Sequence, residues 1–395
     1  MSVQQPQLDA DALIRPFRIA IPQTALGDLT ARLRLTRWPD EPAGAGWERG
    51  VPAAYLRGLT AYWHSGYRWR DHEARLNQWP QFTTEIDGQT IHFVHVRSGH
   101  AHALPLVLLH GWPGSFVEFT RMIEPLVNPS ACGGNDADAF DVIIPSIPGF
   151  GFSMPVQDAG WTTGRAGRAF AVLMERLGYP RYGVHGSDVG AGVGGAMASA
   201  ARAHVVGLHF ASDPPAAVSF AMFTGDPATT PGLSEADKAH VERLKRNCTD
   251  GGAYLQLQLT RPQTLAYALT DSPVAQLAWI IEKFREWTDA SAELPEDAVD
   301  IDQLLTNVAV YWFTRSGASA AHFLYESMRA QEWGDEGDTP TGFAIFGAHP
   351  VARLLMHGNE CVRHWSEFTQ GGHFPAMEVP ELLTADLRAF FRHLR

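Results

Sequence analysis

Asp188 lies at the centre of Gly186-Ser187-Asp188-Val189-Gly190, a spacing that suits the sharp strand-to-helix turn of a nucleophile elbow. The apolar run Tyr182-Gly183-Val184-His185 leads in as a strand, and the small-residue stretch 191–201 leads out as a helix. Glycines on both sides let the chain take the strained turn that lifts the central side chain off the sheet. With Asp where such a turn usually carries Ser, the attacking atom is a carboxylate oxygen. A carboxylate is ionised at neutral pH, needs no base to attack, and suits displacement at a saturated carbon to give an alkyl ester. Epoxides and alkyl halides are the natural substrates of that chemistry.

The ester must then be hydrolysed. His373, in Gly371-Gly372-His373-Phe374, follows the last predicted strand and precedes a predicted helix at 380–394, which is where the chain order nucleophile, acid, base puts the base. It would activate water against the ester. His110-Gly111-Trp112-Pro113 follows an apolar strand, and a backbone N–H here, at Trp112, is expected to join that of Val189 in an oxyanion hole. A histidine in a loop and a Gly/Pro turn are each common; only their combination with Asp188 makes them informative.

Five apolar runs, 91–96, 104–109, 142–147, 182–185 and 205–210, with helical patterns such as 162–177 among the later ones, predict a largely parallel sheet with helices on both faces. Strands resume at 343–346 and 361–365. The expected organisation is an N-terminal meander over 1–90, a core over 91–213, an inserted helical cap over 214–338 and the rest of the core over 339–395. Ligands of such a sheet sit beyond the carboxyl ends of the strands, so the site is expected among the His110 loop, the Asp188 elbow, the segments after Phe210 and Phe346, and the His373 loop.

The chain of 395 residues, 45% hydrophobic, can bury a large core. A formal charge of -12 and a pI near 5.8, with no long basic run, argue against nucleic acid and an anionic membrane surface as partners. Three cysteines without metal-ligand spacing suggest a reducing compartment. Residues 1–10 are polar, and no stretch approaches about 18 uninterrupted apolar residues, so a soluble cytoplasmic protein is expected. No cofactor or metal is expected, and a homo-oligomer is left open.

Several motifs occur together in one order: Arg15-Pro16-Phe17, Thr36-Arg37-Trp38-Pro39, Leu76-Asn77-Gln78-Trp79-Pro80-Gln81-Phe82, Ile91-His92-Phe93, His110-Gly111-Trp112-Pro113-Gly114-Ser115, Pro145-Ser146-Ile147-Pro148-Gly149-Phe150-Gly151-Phe152-Ser153 and Gly371-Gly372-His373-Phe374. Over nearly the whole chain the sequence resembles the microsomal-type epoxide hydrolases. The resemblance implies an α/β-hydrolase fold with a mostly parallel sheet, a helical cap and an N-terminal meander, Asp188 as nucleophile, His373 as base, and a small apolar epoxide as substrate. It also implies two cap tyrosines that donate hydrogen bonds to the epoxide oxygen. Tyr254 matches the first. Tyr325 is the candidate for the second, one position after the family slot, which Leu324 occupies; one helical step is a rotation of about 100°.

The orienting acid departs from the family pattern, because His349 stands in the expected slot after Phe346-Gly347-Ala348. An imidazole does not stabilise an imidazolium as a carboxylate does. Glu360 precedes a strand and belongs at the wrong sheet edge. Asp213 follows strand 205–210 at the ligand edge and is the better candidate, although Ser-Asp-Pro-Pro is also an ordinary turn. Other readings are a haloalkane dehalogenase-like hydrolase, disfavoured because Val189 replaces the halide-binding Trp, and a binding protein of the same fold with impaired turnover. The run Gly190-Ala191-Gly192-Val193-Gly194-Gly195 satisfies a dinucleotide fingerprint, but it starts inside the predicted helix, where small residues serve close packing.

Overall fold

The computed structural model describes residues 14–332, 337–356 and 361–395. Residues 1–10 and Glu360 lie outside them. Nine strands follow in chain order: β1 (Arg15–Phe17), β2 (Gln81–Ile86), β3 (Gln89–Val96), β4 (Leu104–Leu109), β5 (Phe140–Pro145), β6 (Tyr182–Ser187), β7 (Val205–Ser212), β8 (Thr341–Phe346) and β9 (Val362–Phe368). They form one sheet in the order β1-β2-β3-β5-β4-β6-β7-β8-β9. From β5 across to β9 all neighbours are parallel, whereas β2 is antiparallel to both β1 and β3, and β3 is antiparallel to β5. The chain therefore has an α/β-hydrolase sheet with an antiparallel edge.

Every residue of β4, β6 and β8 is buried, as expected of strands covered on both faces. On one face, the helix Thr163–Arg176 packs on the helix Val189–Ala200, where a side chain at Gly167 would meet Ala196 at 2.7 Å. On the other lies Pro380–Phe391, whose Phe390 and Phe391 fill the space left by Gly183, Gly207 and Gly342. His185, His209 and His364 share that second face across β6, β7 and β9. His209 Nε2 and His364 Nε2 both lie 2.8 Å from the buried carboxylate of Asp386 on Pro380–Phe391. This network pins the last helix to the sheet.

The meander differs from expectation. It contains the helices Gln23–Arg34, Ala53–Ser65 and Trp69–Leu76, but it also supplies β1 and β2 to the sheet. β2 was hidden in the sequence because Gln-Phe-Thr-Thr-Glu-Ile is half polar, in keeping with its partial burial near the sheet edge. The meander also grips the cap: the hydroxyls of Tyr55 and Tyr62 donate to Glu296 and Asp302, and Arg32 pairs with Asp271. Smaller differences fall at strand ends. β5 stops at Pro145, and β9 begins after Cys361 and runs to Phe368.

Between β7 and β8 the chain forms the helices Pro214–Thr224, Glu235–Asp250, Ala253–Thr260, Pro262–Asp271, Pro273–Trp287, Ile301–Thr314 and Ser316–Ala330. Proline in the first turn starts three of them, where its missing N–H costs no helical bond. No helix of the described residues is long and apolar enough to cross a membrane.

Candidate active site

The elbow is built as its glycines suggest. Asp188 has φ 51° and ψ -128°, a conformation that costs a non-glycine residue about 1–3 kcal/mol. The turn is possible only because its surroundings lack side chains. A Cβ on Gly190 would lie 2.2 Å from the Leu109 carbonyl oxygen, and one on Gly186 would lie 2.5 Å from that of Gly190. The glycine run in the following helix is thus explained by close packing. A Cβ on Gly111 would meet the Asp188 side chain at 2.4 Å, so the loop after β4 lies directly against the carboxylate.

Each oxygen of Asp188 has its own surroundings. The N–H of Trp112 donates to Oδ1 at 2.9 Å, and the N–H of Val189 also points at the carboxylate. Oδ2 lies 3.5 Å from His373 Nε2, a long contact that leaves Nε2 without a hydrogen bond among the described residues. The Asp188 side chain keeps 29% of its surface accessible, so an incoming molecule can reach it. Burial pushes its pKa up; His373 and the two N–H groups outweigh this and hold the carboxyl below its ordinary range.

On its other side, His373 Nδ1 lies 2.8 Å from Asp213 Oδ2. Asp213 is 5% exposed and also caps the helix Pro214–Thr224, accepting from the N–H of Ala216 at 2.7 Å. One carboxylate therefore orients both a helix and an imidazole. Burial works against charge on His373, but the two flanking carboxylates prevail and raise its pKa well above the ordinary value. His349 is elsewhere: it caps the short helix Pro350–Leu355 and stacks on His240 at 3.8 Å. The His373 loop is itself anchored. The N–H of His373 donates to the Trp287 carbonyl, that of Gly371 to Asp289, and Glu378 accepts from the N–H groups of Phe374 and Asp289.

Tyr254 lies in the first turn of Ala253–Thr260. Its ring stacks on Trp112 at 5.0 Å and 10°, meets Trp287 edge-on at 5.3 Å, and carries the Lys283 ammonium 4.6 Å above its centroid. Burial, and then the charge of Asp188, push its pKa up, so the phenol stays a proton donor. Tyr325, on Ser316–Ala330, is half-buried with the Arg329 guanidinium 3.6 Å from its ring centroid, and Leu324 is packed into the core. The helices of the two tyrosines are tied by Arg329, which donates to the Leu259 carbonyl at 2.7 Å. Among the described residues, Tyr325 has no hydrogen bond from its hydroxyl and no ring contact with Trp112, Tyr254 or His373. A surface recess of about 990 Å³ is lined by residues such as Trp161, Gln263, His322 and Phe323, and none of the catalytic candidates borders it.

Several residues of the site gave no signal in the sequence. Glu118 is 3% exposed; a Cβ on Gly114 would coincide with its carboxyl group. Burial pushes its pKa up to about 8. Asn307 and Tyr311, one turn apart on a cap helix, donate to the carbonyls of Pro113 and Gly114 at 2.8 Å and fix the loop that carries Trp112. Their spacing, i and i+4 on one helix face, was the available hint. His110 is buried and held neutral, its pKa lowered to about 4 by burial. It accepts from the N–H of Ile147 through Nε2, so Nδ1 carries the proton that faces the Gly111 carbonyl.

Residues 14–119 match the family described as epoxide hydrolase N terminus, and residues 105–287 match the alpha/beta hydrolase fold. Epoxide hydrolase 1 of Sus scrofa is 33% identical over 98% of this chain and 90% of that protein. The chain belongs to the microsomal-type epoxide hydrolases. It is thus a hydrolase of that family, and two solved structures agree in shape. The juvenile hormone epoxide hydrolase of Bombyx mori superposes with a TM-score of 0.85 at 30% identity, covering 97% of this chain and 95% of the other. The epoxide hydrolase of Aspergillus niger gives 0.80 at 31% identity, covering 97% of each.

Proposed function

We propose that this epoxide hydrolase opens an apolar epoxide to a vicinal diol through an ester on Asp188. The observation that carries the reading is the division of labour between the two carboxylate oxygens. Oδ1 is held by the N–H of Trp112 at 2.9 Å, while Oδ2 makes only a long contact of 3.5 Å with His373 Nε2. In the first step Oδ2 attacks an epoxide carbon, the carbon–oxygen bond breaks, and the Tyr254 hydroxyl protonates the departing oxygen. The Lys283 ammonium over the ring favours the phenolate that results. Tyr325 is the second donor in this reading, supported by the packing of its helix on that of Tyr254.

Esterification removes one of the two negative charges that hold the proton on His373. Its pKa then falls, and its proton can restore the Tyr254 phenol. Neutral His373, kept in orientation by Asp213, takes a proton from water, which attacks Cγ. The negative charge collects on Oδ1, where the N–H groups of Trp112 and Val189 already point, and collapse releases the diol with a proton from the imidazolium. The aromatic walls from Trp112, Tyr254, Trp279 and Trp287 support an apolar ligand.

Intact-mass spectrometry during turnover of styrene oxide tests the sequence of steps. Asp188→Ala is expected to lose at least about 10⁴-fold in rate and to form no adduct. His373→Gln should accumulate the enzyme plus one epoxide, with diol release suppressed. Full activity in Asp188→Ala, or no adduct in His373→Gln, overturns the proposal. A Tyr325→Phe variant of full activity removes that residue from the reading.

A further inference from the structure

Three side chains able to ligate a metal come from distant parts of the chain and meet beneath the final helix. His209 is on β7, His364 on β9 and Asp386 on Pro380–Phe391, and one ligand atom of each lies within 4.8 Å of the other two. His209 Nε2 is 2.8 Å from Asp386 Oδ2, and His364 Nε2 is 2.8 Å from Oδ1. The Ser366 hydroxyl closes the group, 2.5 Å from Oδ1 and 3.1 Å from His364 Nε2. Among the described residues, none of the four has a hydrogen bond or ion pair with Asp188, Asp213 or His373, so the reaction gives the group no task.

Charge makes this group more than an anchor for the helix. Asp386 is 5% exposed, and its partners among the described residues are the two imidazoles and the hydroxyl, with no Lys or Arg against it. Burial outweighs the pull of that carboxylate on His209 and holds the imidazole below its ordinary pKa, hence neutral. A cation placed between the three ligand atoms would supply the counter-charge that the buried carboxylate lacks.

The donor set selects the ion. Two imidazoles, a carboxylate and a hydroxyl suit a borderline ion such as zinc, and not the all-oxygen shell of magnesium or calcium. Zinc sits about 2.0–2.2 Å from such atoms and keeps them roughly 3.3 Å apart, so the hydrogen bonds to Asp386 need to open by only about 0.5 Å as the ion replaces their protons. His209 would then carry its proton on Nδ1, and His185 Nδ1 is 2.9 Å away to accept it, the outer support that ligating imidazoles use. The His364 side chain is 22% exposed and leaves a way in.

We propose that His209, His364 and Asp386 form a zinc site, with Ser366 or a water as fourth ligand, that ties β7 and β9 to the last helix. No short motif marks it, because Asp386 is 177 residues from one histidine and 22 from the other.

The test strips the protein with a chelator, returns it to metal-free buffer and titrates it with zinc chloride. Equilibrium dialysis is expected to find one zinc per chain, and the Tm to rise by at least about 3 °C at saturating zinc. Cobalt(II) in its place should show the visible absorption of a four-coordinate ion. His364→Gln can still donate to Asp386 and is expected to keep the metal-free Tm, yet to bind zinc at least about 100-fold more weakly and to lose the cobalt band. Asp386→Asn should weaken zinc as much. No bound zinc in the natural protein, or unchanged affinity in His364→Gln, overturns the site. Zinc lost in His349→Ala but kept in His364→Gln would lie on the stacked pair His240 and His349. Zinc that stops epoxide opening and is kept in His364→Gln would lie at His373. Either result overturns the proposal too.

Discussion

His373 sits between two carboxylates that do different things, and that asymmetry is where the acid can be identified. Asp213 holds Nδ1 at 2.8 Å, while His349, which stands in the family position of the acid, is turned away to stack on His240. Asp213→Asn is expected to slow ester hydrolysis by about 10²–10⁴-fold, since the imidazolium loses its counter-charge and its tautomer is no longer enforced. The ester should therefore build up, visible as a burst in stopped-flow followed by a slow steady state. His349→Ala should leave kcat within about twofold. The reverse pattern would transfer the role to His349. In the proposed reading a helix cap doubles as the catalytic acid: Ser-Asp-Pro-Pro supplies the cap for local reasons, and the sheet brings it within 2.8 Å of His373.

At the scale of elements, the loop 110–115 is compressed between Asp188 and the helix Ile301–Thr314. Its glycines are there because carboxyl groups occupy the space of their side chains, Asp188 at Gly111 and Glu118 at Gly114. Gly111→Ala should displace the Asp188 side chain by about 1 Å without unfolding the protein, because the added Cβ would lie 2.4 Å from that of Asp188. Loss of more than about 10²-fold in kcat with a native near-ultraviolet circular dichroism spectrum is the expected outcome. Gly190→Ala is different in kind, because its Cβ would strike the Leu109 backbone oxygen, which cannot swing away as a side chain can. A loss of stability of several kcal/mol is expected there, read as a fall in the denaturant midpoint.

Over the whole molecule, buried carboxyl groups with raised pKa values set the response to pH. Glu118 is pushed up to about 8 and Glu378 to about 7, each mainly by burial. Above their ordinary value of 4.5 the unfolded chain releases these protons while the folded protein keeps them, so their contribution to stability is lost as pH rises from about 4.5 to 8. Unfolding by urea between pH 5 and 8 should show this decline. Glu118→Gln is expected to flatten it by about 3 kcal/mol. A decline of equal slope in the variant would place the titration elsewhere. Asp188 and Asp386 act oppositely: both are held low despite burial, so what they contribute is lost as pH falls.

The residues that announce themselves by local constraint were legible in the chain. Asp188 stood out because only an elbow needs glycine on both sides of a charged residue, and His373 because it follows the last strand. Parallel strands buried on both faces are written as apolar runs, so the central sheet was readable as well. β1 and β2 were not, because a short strand and a half-polar one become strands only by pairing with what the fold brings beside them. Pairing Asp213 with His373 needed the tertiary structure, since they are 160 residues apart and a 2.8 Å contact over that separation has no local signature. Glu118, Asn307 and Asp386 are likewise ordinary polar letters in the sequence. Their meaning comes from burial, and burial is a property of the packed whole.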